Sequence, residues 1–135
     1  MSNSRDEQLQ GDSLEASLTV ASLERSAMWY ADILGFHEER RYQRESKLIA
    51  VALKAGAVRI LLTQDDGAKG LDRAKGVGLS LQITTHQSAD GLAALIKSKG
   101  GVLDTDPVTM PHGVRVFRLR DPDGFRFTVS STHAA

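Results

Sequence analysis

Apolar and polar positions in the first half of the chain follow the spacing of a strand, then of a helix, then of strands again. Residues 14–20 alternate as a half-buried strand does, and Ser22 follows at the place of a helix N-cap. Gly35 marks the end of a helical stripe made by Leu23, Ala27, Tyr30 and Leu34. Three further strand-like runs are residues 36–43, 48–53 and 57–64.

The second half of the chain repeats this order. Residues 79–84 predict a strand, and a helix ending near Gly100 is marked by Ala89, Leu92, Leu95 and Ile96. Strands are then predicted at residues 102–109, 114–120 and 125–130. The copies lie about 64 residues apart. The fold class is therefore predicted to be α+β, with two βαβββ modules that pair to form an open cleft.

The module boundaries follow from the same pattern. We predict a single domain over residues 13–131, with module one at 13–64 and module two at 77–131. Residues 65–76 form a polar, glycine-containing linker, in which Arg73 and Lys75 are expected to be solvated charges. Residues 1–12 are expected to be a disordered lead-in and residues 132–135 a tail.

Composition narrows the functional classes. The 135 residues include 17 basic and 17 acidic side chains, so no overall field favours nucleic acid or an anionic membrane. The sequence contains no cysteine, and no apolar run is long enough to span a bilayer. We therefore expect a cytoplasmic protein without nucleic-acid or membrane partners. The four histidines are His37, His86, His112 and His133. None of them is spaced along the chain so that it could share a metal ion with another.

The most specific signal is the last hairpin. Its tip is Asp121-Pro122-Asp123-Gly124, in which proline fixes one backbone angle, the aspartates can bond their own backbone and glycine accepts positive φ. With this hairpin, the segments 20–26, 29–30 and 33–36 make the chain resemble the vicinal oxygen chelate family. That family includes glyoxalase I enzymes, extradiol dioxygenases and bleomycin-resistance proteins. The resemblance covers residues 13–131 and implies paired modules around a cleft.

The resemblance also implies where a metal would be held. Metal-dependent members use four His, Gln or Glu side chains on the first and last strands of the two modules. The matching positions here are Glu15, Leu61, Gly78 and Thr128. Only one of these is a strong donor, so we expect no metal and no cofactor. Glyoxalase I and extradiol dioxygenase activities are accordingly not expected.

Strand alternation assigns the remaining side chains to the core or to the cleft. The predicted core positions are Ala16, Leu18, Val20, Ile60, Leu62, Leu79, Leu81, Ile83, Phe125, Phe127 and Val129. The predicted ligand-binding positions are Glu15, Ser17, Thr19, Arg59, Leu61, Thr63, Ser80, Gln82, Arg126, Thr128 and Ser130. Two arginines in this set favour an anionic or polyhydroxylated small molecule. The alternative is that they pair with Glu15 or reach solvent.

Three functional hypotheses follow. The first is a metal-independent, non-catalytic small-molecule binder for sequestration or resistance, which the resemblance implies to be a homodimer. The second is a metal-independent enzyme in which Glu15 is the general base and Arg59 or Arg126 stabilises an oxyanion. The third is a dimeric scaffold whose cleft has no remaining function.

Overall fold

The structure, a computed structural model, describes residues 8–133. The remainder of the predicted lead-in and tail, residues 1–7 and 134–135, lies outside the described residues. Module one consists of β1 (Ala16–Val20), α1 (Leu23–Asp32), β2 (His37–Arg44), β3 (Lys47–Ala55) and β4 (Val58–Gln64). Module two consists of β5 (Ser80–Thr85), α2 (Ala89–Ser98), β6 (Leu103–Thr109), β7 (Arg115–Arg120) and β8 (Arg126–Ser131).

Each module forms its own four-stranded sheet. The strand orders are β1-β4-β3-β2 and β5-β8-β7-β6, so the first strand of each module lies at one edge and pairs with the last. That pairing is parallel, and the other pairings are antiparallel. A parallel pair needs a crossover connection, which the helix and the middle strands supply. The predicted α+β fold of two βαβββ modules is confirmed.

The sequence predicts the cap at Ser22 and the turn of the last hairpin, and local hydrogen bonds form both; the structure adds a cap at Ser88. The Ser22 hydroxyl accepts the Arg25 backbone N–H at 3.3 Å, and Ser88 caps α2 in the same way. In the last hairpin, Asp121 Oδ1 accepts the backbone N–H groups of Asp123 and Phe125, each at 2.9 Å. Gly124 has a φ of 93°, a conformation that a side chain would disfavour.

The hydrophobic core is continuous between the modules. Tyr30 of α1 is fully buried, and its ring makes edge contacts with Phe36 of module one and Phe127 of module two. The prediction that Leu79 is a core residue is wrong, because it precedes β5 at an unpaired sheet edge and is 45% exposed. Leu95 is also exposed, since α2 turns Ala93 and Ile96 toward the core instead.

A second prediction, about the linker, is also wrong. Lys75 was expected to be solvated, but its side chain is only 4% exposed and its ammonium lies 2.8 Å from Asp65 Oδ2. The same ammonium lies 3.6 Å from Asp123 Oδ1, in the last hairpin of module two. The linker is thus anchored at the junction between the modules, and a buried cation there is tolerated because two carboxylates face it.

Within residues 8–133, no helix combines the length and apolar composition that crossing a bilayer requires.

Candidate functional site

One cleft lies between the first strands of the two modules. No hydrogen bond joins β1 to β5 in the described part of the chain, and the space between these edges is about 460 Å³. Its walls are mainly apolar and include Ala16, Leu18, Ile60, Leu81, Ile83 and Phe127. The predicted site residues that line it are Glu15, Ser17, Arg59 and Gln82. We call this space the inter-sheet cleft. Its volume is within the usual range for a small-molecule site.

Strand pairing shows which positions of the two modules are equivalent. Asp65 donates its backbone N–H to Val20, and Thr132 donates in the same way to Thr85, at the ends of the two parallel ladders. Counted back from these bonds, the pair Ser17–Leu61 of module one corresponds to the pair Gln82–Thr128 of module two. By the same count Arg59 is equivalent to Arg126. The two predicted cleft arginines therefore occupy matching positions on the two sheets.

Their surroundings nevertheless differ. Arg59 donates from Nε to Glu39 of β2 at 3.2 Å, and its side chain is 47% exposed. The pairing with Glu15 that the sequence left open is not formed, because Glu39 reaches Arg59 from the opposite edge of the same sheet. The side chain of Arg126 is exposed and makes no hydrogen bond or ion pair with any other described residue. The guanidinium of Arg126 is therefore available to a ligand.

Two further arginines lie on the same sheet face as Arg126, and the sequence analysis did not predict them as site residues. Alternation along β7 places Arg118 and Arg120 on the face of the sheet that α2 does not cover, which we call the helix-free face. Arg120 is opposite Arg126 and binds Asp104 through two hydrogen bonds of 2.9 and 3.2 Å. Arg118 is opposite Thr128 and, like Arg126, has no partner within residues 8–133. Extending the alternation argument to β7 would have found both.

The other predicted site residues divide between two places. Ser80, Thr128 and Ser130 lie on the helix-free face of module two, where Thr128 is buried and Ser130 is half-buried. Thr19 and Thr63 hydrogen-bond to each other at 3.2 Å in a second, smaller cleft of about 280 Å³, which the linker residues Lys69 and Arg73 also line. Leu61 lies beside Ser17 on module one. The predicted residues do not converge on one point.

The donor set does not fit a transition metal. In the ladder register, the module-two equivalent of Glu15 is Ser80 rather than Gly78, two residues further along the same face. The four positions are then occupied by one carboxylate, the hydrocarbon of Leu61 and the neutral hydroxyls of Ser80 and Thr128. Tight binding needs several deprotonated or nitrogen donors. No cluster of three His, Cys, Asp or Glu able to hold a metal is found between residues 8 and 133.

Polar contacts at the module junction fix the two walls of the cleft relative to each other. The Tyr30 hydroxyl donates to Asp121 Oδ2 at 2.8 Å, and Asp123 accepts the Ala21 backbone N–H at 2.9 Å. Burial raises the pKa of Asp121, whereas the Tyr30 hydroxyl acts against that rise. Burial and the Asp121 carboxylate raise the pKa of Tyr30, so its hydroxyl remains a donor.

The family model of the Glyoxalase/Bleomycin resistance protein/Dioxygenase superfamily matches residues 13–129. The chain belongs to this superfamily, as the hairpin motif and the repeated modules indicate. No curated protein sequence gives a significant match.

Solved structures share the fold. TioX from Micromonospora sp. ML1 superposes with a TM-score of 0.73 at 16% identity, over 90% of this chain and 98% of that one. Lactoylglutathione lyase from Agrobacterium tumefaciens superposes with a TM-score of 0.68 at 15% identity, over 93% and 96%. A superfamily member from Sphaerobacter thermophilus DSM 20745 gives 0.67 at 21% identity, over 87% and 94%.

Proposed function

We propose that this protein is a metal-independent small-molecule-binding protein of the glyoxalase and bleomycin-resistance superfamily, acting by sequestration in the cytoplasm. The observation that carries the proposal is the free guanidinium of Arg126 on the helix-free face, one strand away from the inter-sheet cleft. The four positions that hold a metal in metal-dependent members of the superfamily contain only one strong donor in this chain, so the proposed function is ligand binding without a metal ion.

The ligand class follows from charge. Arg126 has no acidic partner among the described residues, and Glu15 is the only acidic side chain that lines the inter-sheet cleft. An unpaired guanidinium forms its strongest hydrogen bonds with carboxylate or phosphate oxygens. We therefore propose an anionic or polyhydroxylated ligand rather than a cationic glycopeptide.

A metal-independent enzyme is the second candidate, and the position of Glu15 favours it. Glu15 lines the inter-sheet cleft and has no hydrogen bond or ion pair with another described residue. It could therefore take a proton from a bound substrate, with Arg126 stabilising the developing oxyanion. Arg59 is less suited to that role because it is already bonded to Glu39. Loss of turnover of a bound compound in Glu15→Gln, with its binding retained, would identify this function.

A homodimer is part of the proposal. The edges of β1 and β5 are unpaired within the described chain, and two exposed apolar side chains, Leu14 and Leu79, lie at the inter-sheet cleft between them. Val77 next to this edge is 78% exposed. Unpaired edges with apolar borders are features that a second subunit commonly covers.

The test is a thermal-shift screen of anionic, polyhydroxylated and cationic compounds on the purified protein. We expect anionic or polyhydroxylated compounds to raise Tm, and Arg126→Ala to abolish the shift without changing the Tm of the free protein. Arg44→Ala, at the tip of the β2–β3 hairpin, is the matched charge control and should retain the shift. If the active compounds are all cations, or if their effect survives Arg126→Ala, the proposed ligand class is wrong.

The proposed absence of a bound metal is tested by a separate measurement. Elemental analysis should give far less than one Zn, Ni or Fe per chain, and adding these ions should leave Tm unchanged. About one metal per chain, lost in Glu15→Ala, would contradict the proposal.

A further inference from the structure

Two of the three arginines on the helix-free face of module two carry charges that no acid neutralises. Arg120 is bonded to Asp104 of β6 at 2.9 and 3.2 Å. The side chains of Arg118 and Arg126 are exposed and have no acidic partner in the described part of the chain. Arg126 also lies directly opposite Arg120, and like charges at opposite positions of a sheet are unfavourable. We call Arg118 and Arg126 the arginine pair.

The arginine pair is suitably spaced to bind one anionic group. Arg126 is opposite Arg120, and Arg118 is two residues before Arg120 on the same strand face, so the two are diagonal neighbours. Diagonal neighbours on antiparallel strands lie roughly 7–8 Å apart. Two arginine side chains can close a gap of this size around a single group, with each guanidinium donating a fork of two hydrogen bonds.

The surface around the arginine pair carries hydroxyl groups. Thr128 is opposite Arg118 and two residues after Arg126, so it lies between the two arginines. It is only 8% exposed although no helix covers this face, which shows that neighbouring side chains shelter it. Ser80 is opposite Arg126 and Thr105 is opposite Arg118. Cations and hydroxyl donors together form a surface suited to an anion with several oxygen atoms.

Module one shows that the fold does not require the arginine pair. The positions in module one that correspond to Arg118 and Thr128 are occupied by Ala52 and Leu61, which lie opposite each other. The same sheet therefore forms with an apolar pair at this place. Arg59, the arginine that module one does have, is bonded to an acid of its own sheet. The two unneutralised cations are thus a feature of module two alone and have no role in holding its sheet together.

We infer that Arg118 and Arg126 together bind the phosphate group of a phosphate monoester. The inference rests on the proposed function, adds a second residue to the site of Arg126 and narrows its ligand class. A phosphate monoester has a charge near −2 at neutral pH and three terminal oxygens, which match two guanidinium groups in charge and in hydrogen bonds. A carboxylate has one charge and two oxygens, which a single arginine fork already satisfies. The site is separate from the inter-sheet cleft, whose lining includes neither arginine.

The test is calorimetric titration at pH 7.5 with four probes that share an aromatic ring and differ in the polar group: phenyl phosphate, phenyl sulfate, benzoate and benzyl alcohol. We expect phenyl phosphate to bind at least about tenfold more tightly than phenyl sulfate, which has the same three terminal oxygens but a single charge. Benzoate should bind no more tightly than phenyl sulfate, and benzyl alcohol should not bind measurably.

Variants assign the phosphate group to the arginine pair. Arg118→Gln keeps a polar side chain but removes its charge, and should weaken phenyl phosphate binding about tenfold. The free protein should keep its Tm in this variant, because an exposed arginine without a partner contributes little to folding. Arg44→Gln removes the same charge at the tip of the β2–β3 hairpin and should leave the affinity unchanged. Phenyl sulfate or benzoate binding as tightly as phenyl phosphate, or phenyl phosphate binding unaffected by Arg118→Gln, would overturn the inference.

The outcomes also distinguish this inference from the proposed function. Carboxylates or polyhydroxylated compounds that bind through Arg126 and are insensitive to Arg118→Gln would refute the phosphate site and leave the proposed function intact. Failure of every anionic and polyhydroxylated compound to bind would refute both.

Discussion

Replacing Tyr30 by phenylalanine removes one oxygen atom at the contact between the modules and keeps the packed ring. In the native protein that oxygen donates to Asp121 Oδ2 at 2.8 Å, and Tyr30 is fully buried. Asp121 is 5% exposed, and its other oxygen already accepts two backbone N–H groups. In Tyr30→Phe, Oδ2 therefore keeps its burial and loses its hydrogen bond.

The expected loss of stability follows from that geometry. A hydrogen bond to a charged group contributes about 1.5–3 kcal/mol, and the two remaining bonds keep Asp121 in place, so we expect about 2 kcal/mol near neutral pH. For a domain of this size that corresponds to a fall in Tm of roughly 7 °C. The free energy of unfolding can be measured by urea titration, with Trp29, whose ring lies 5.0 Å from that of Tyr30, as the fluorescent probe.

The pH dependence gives a sharper test. Burial raises the pKa of Asp121 above its ordinary value of 3.8, so the folded protein binds this proton more readily than the unfolded chain. The stability that Asp121 contributes is thus fully present below about pH 4 and is lost as the pH rises through the folded-state pKa. Removing the Tyr30 hydroxyl raises that pKa further. The destabilisation by Tyr30→Phe should therefore decrease from about 2 kcal/mol near pH 7.5 toward about 1 kcal/mol once the pH falls below the folded-state pKa, where the lost bond is to a neutral carboxyl.

The second tyrosine provides the control. Tyr42 lies on the exposed strand β2 and its hydroxyl has no hydrogen bond within the described chain, so Tyr42→Phe should change stability by less than about 0.5 kcal/mol. A loss below about 0.5 kcal/mol in Tyr30→Phe at neutral pH, or one that grows as the pH falls, would refute the assigned hydrogen bond and charge state.

Three other outcomes are expected. Lys75→Met should lower Tm by more than about 5 °C, because it leaves a buried carboxylate without its nearest cation, whereas Lys69→Met in the exposed part of the linker should not. Gly101→Ala should cost about 1–3 kcal/mol in urea unfolding, because the new Cβ would lie 2.8 Å from the Ile33 side chain. Gly11→Ala has open space and should be neutral; equal losses at both glycines would contradict this packing. Sedimentation should give a dimer at tens of micromolar, and a monomer there would contradict the proposed assembly.

Local sequence was sufficient for the features that neighbouring residues determine. The cap at Ser22 and the Asp121–Gly124 turn depend on hydrogen bonds that span two to four residues, so their pattern is visible along the chain. Alternation along β8 likewise separated exposed Arg126 from buried Phe127, because successive strand side chains point to opposite faces. The repeat of this order was enough to predict two βαβββ modules.

Tertiary structure decided which charges meet, because those contacts join positions far apart in the sequence. Arg59 bonds to Glu39 rather than to Glu15, although alternation alone placed Glu15 and Arg59 on the same cleft lining. Lys75 lies in a polar segment that is typical of solvated linkers. It is nevertheless buried, because its ammonium lies between Asp65 at the start of the linker and Asp123 in the last hairpin of module two. The availability of Arg126 and Arg118 is decided in the same way. A side chain is free for a ligand only when no acid from a neighbouring strand reaches it, and which strands are neighbours is a property of the assembled sheets.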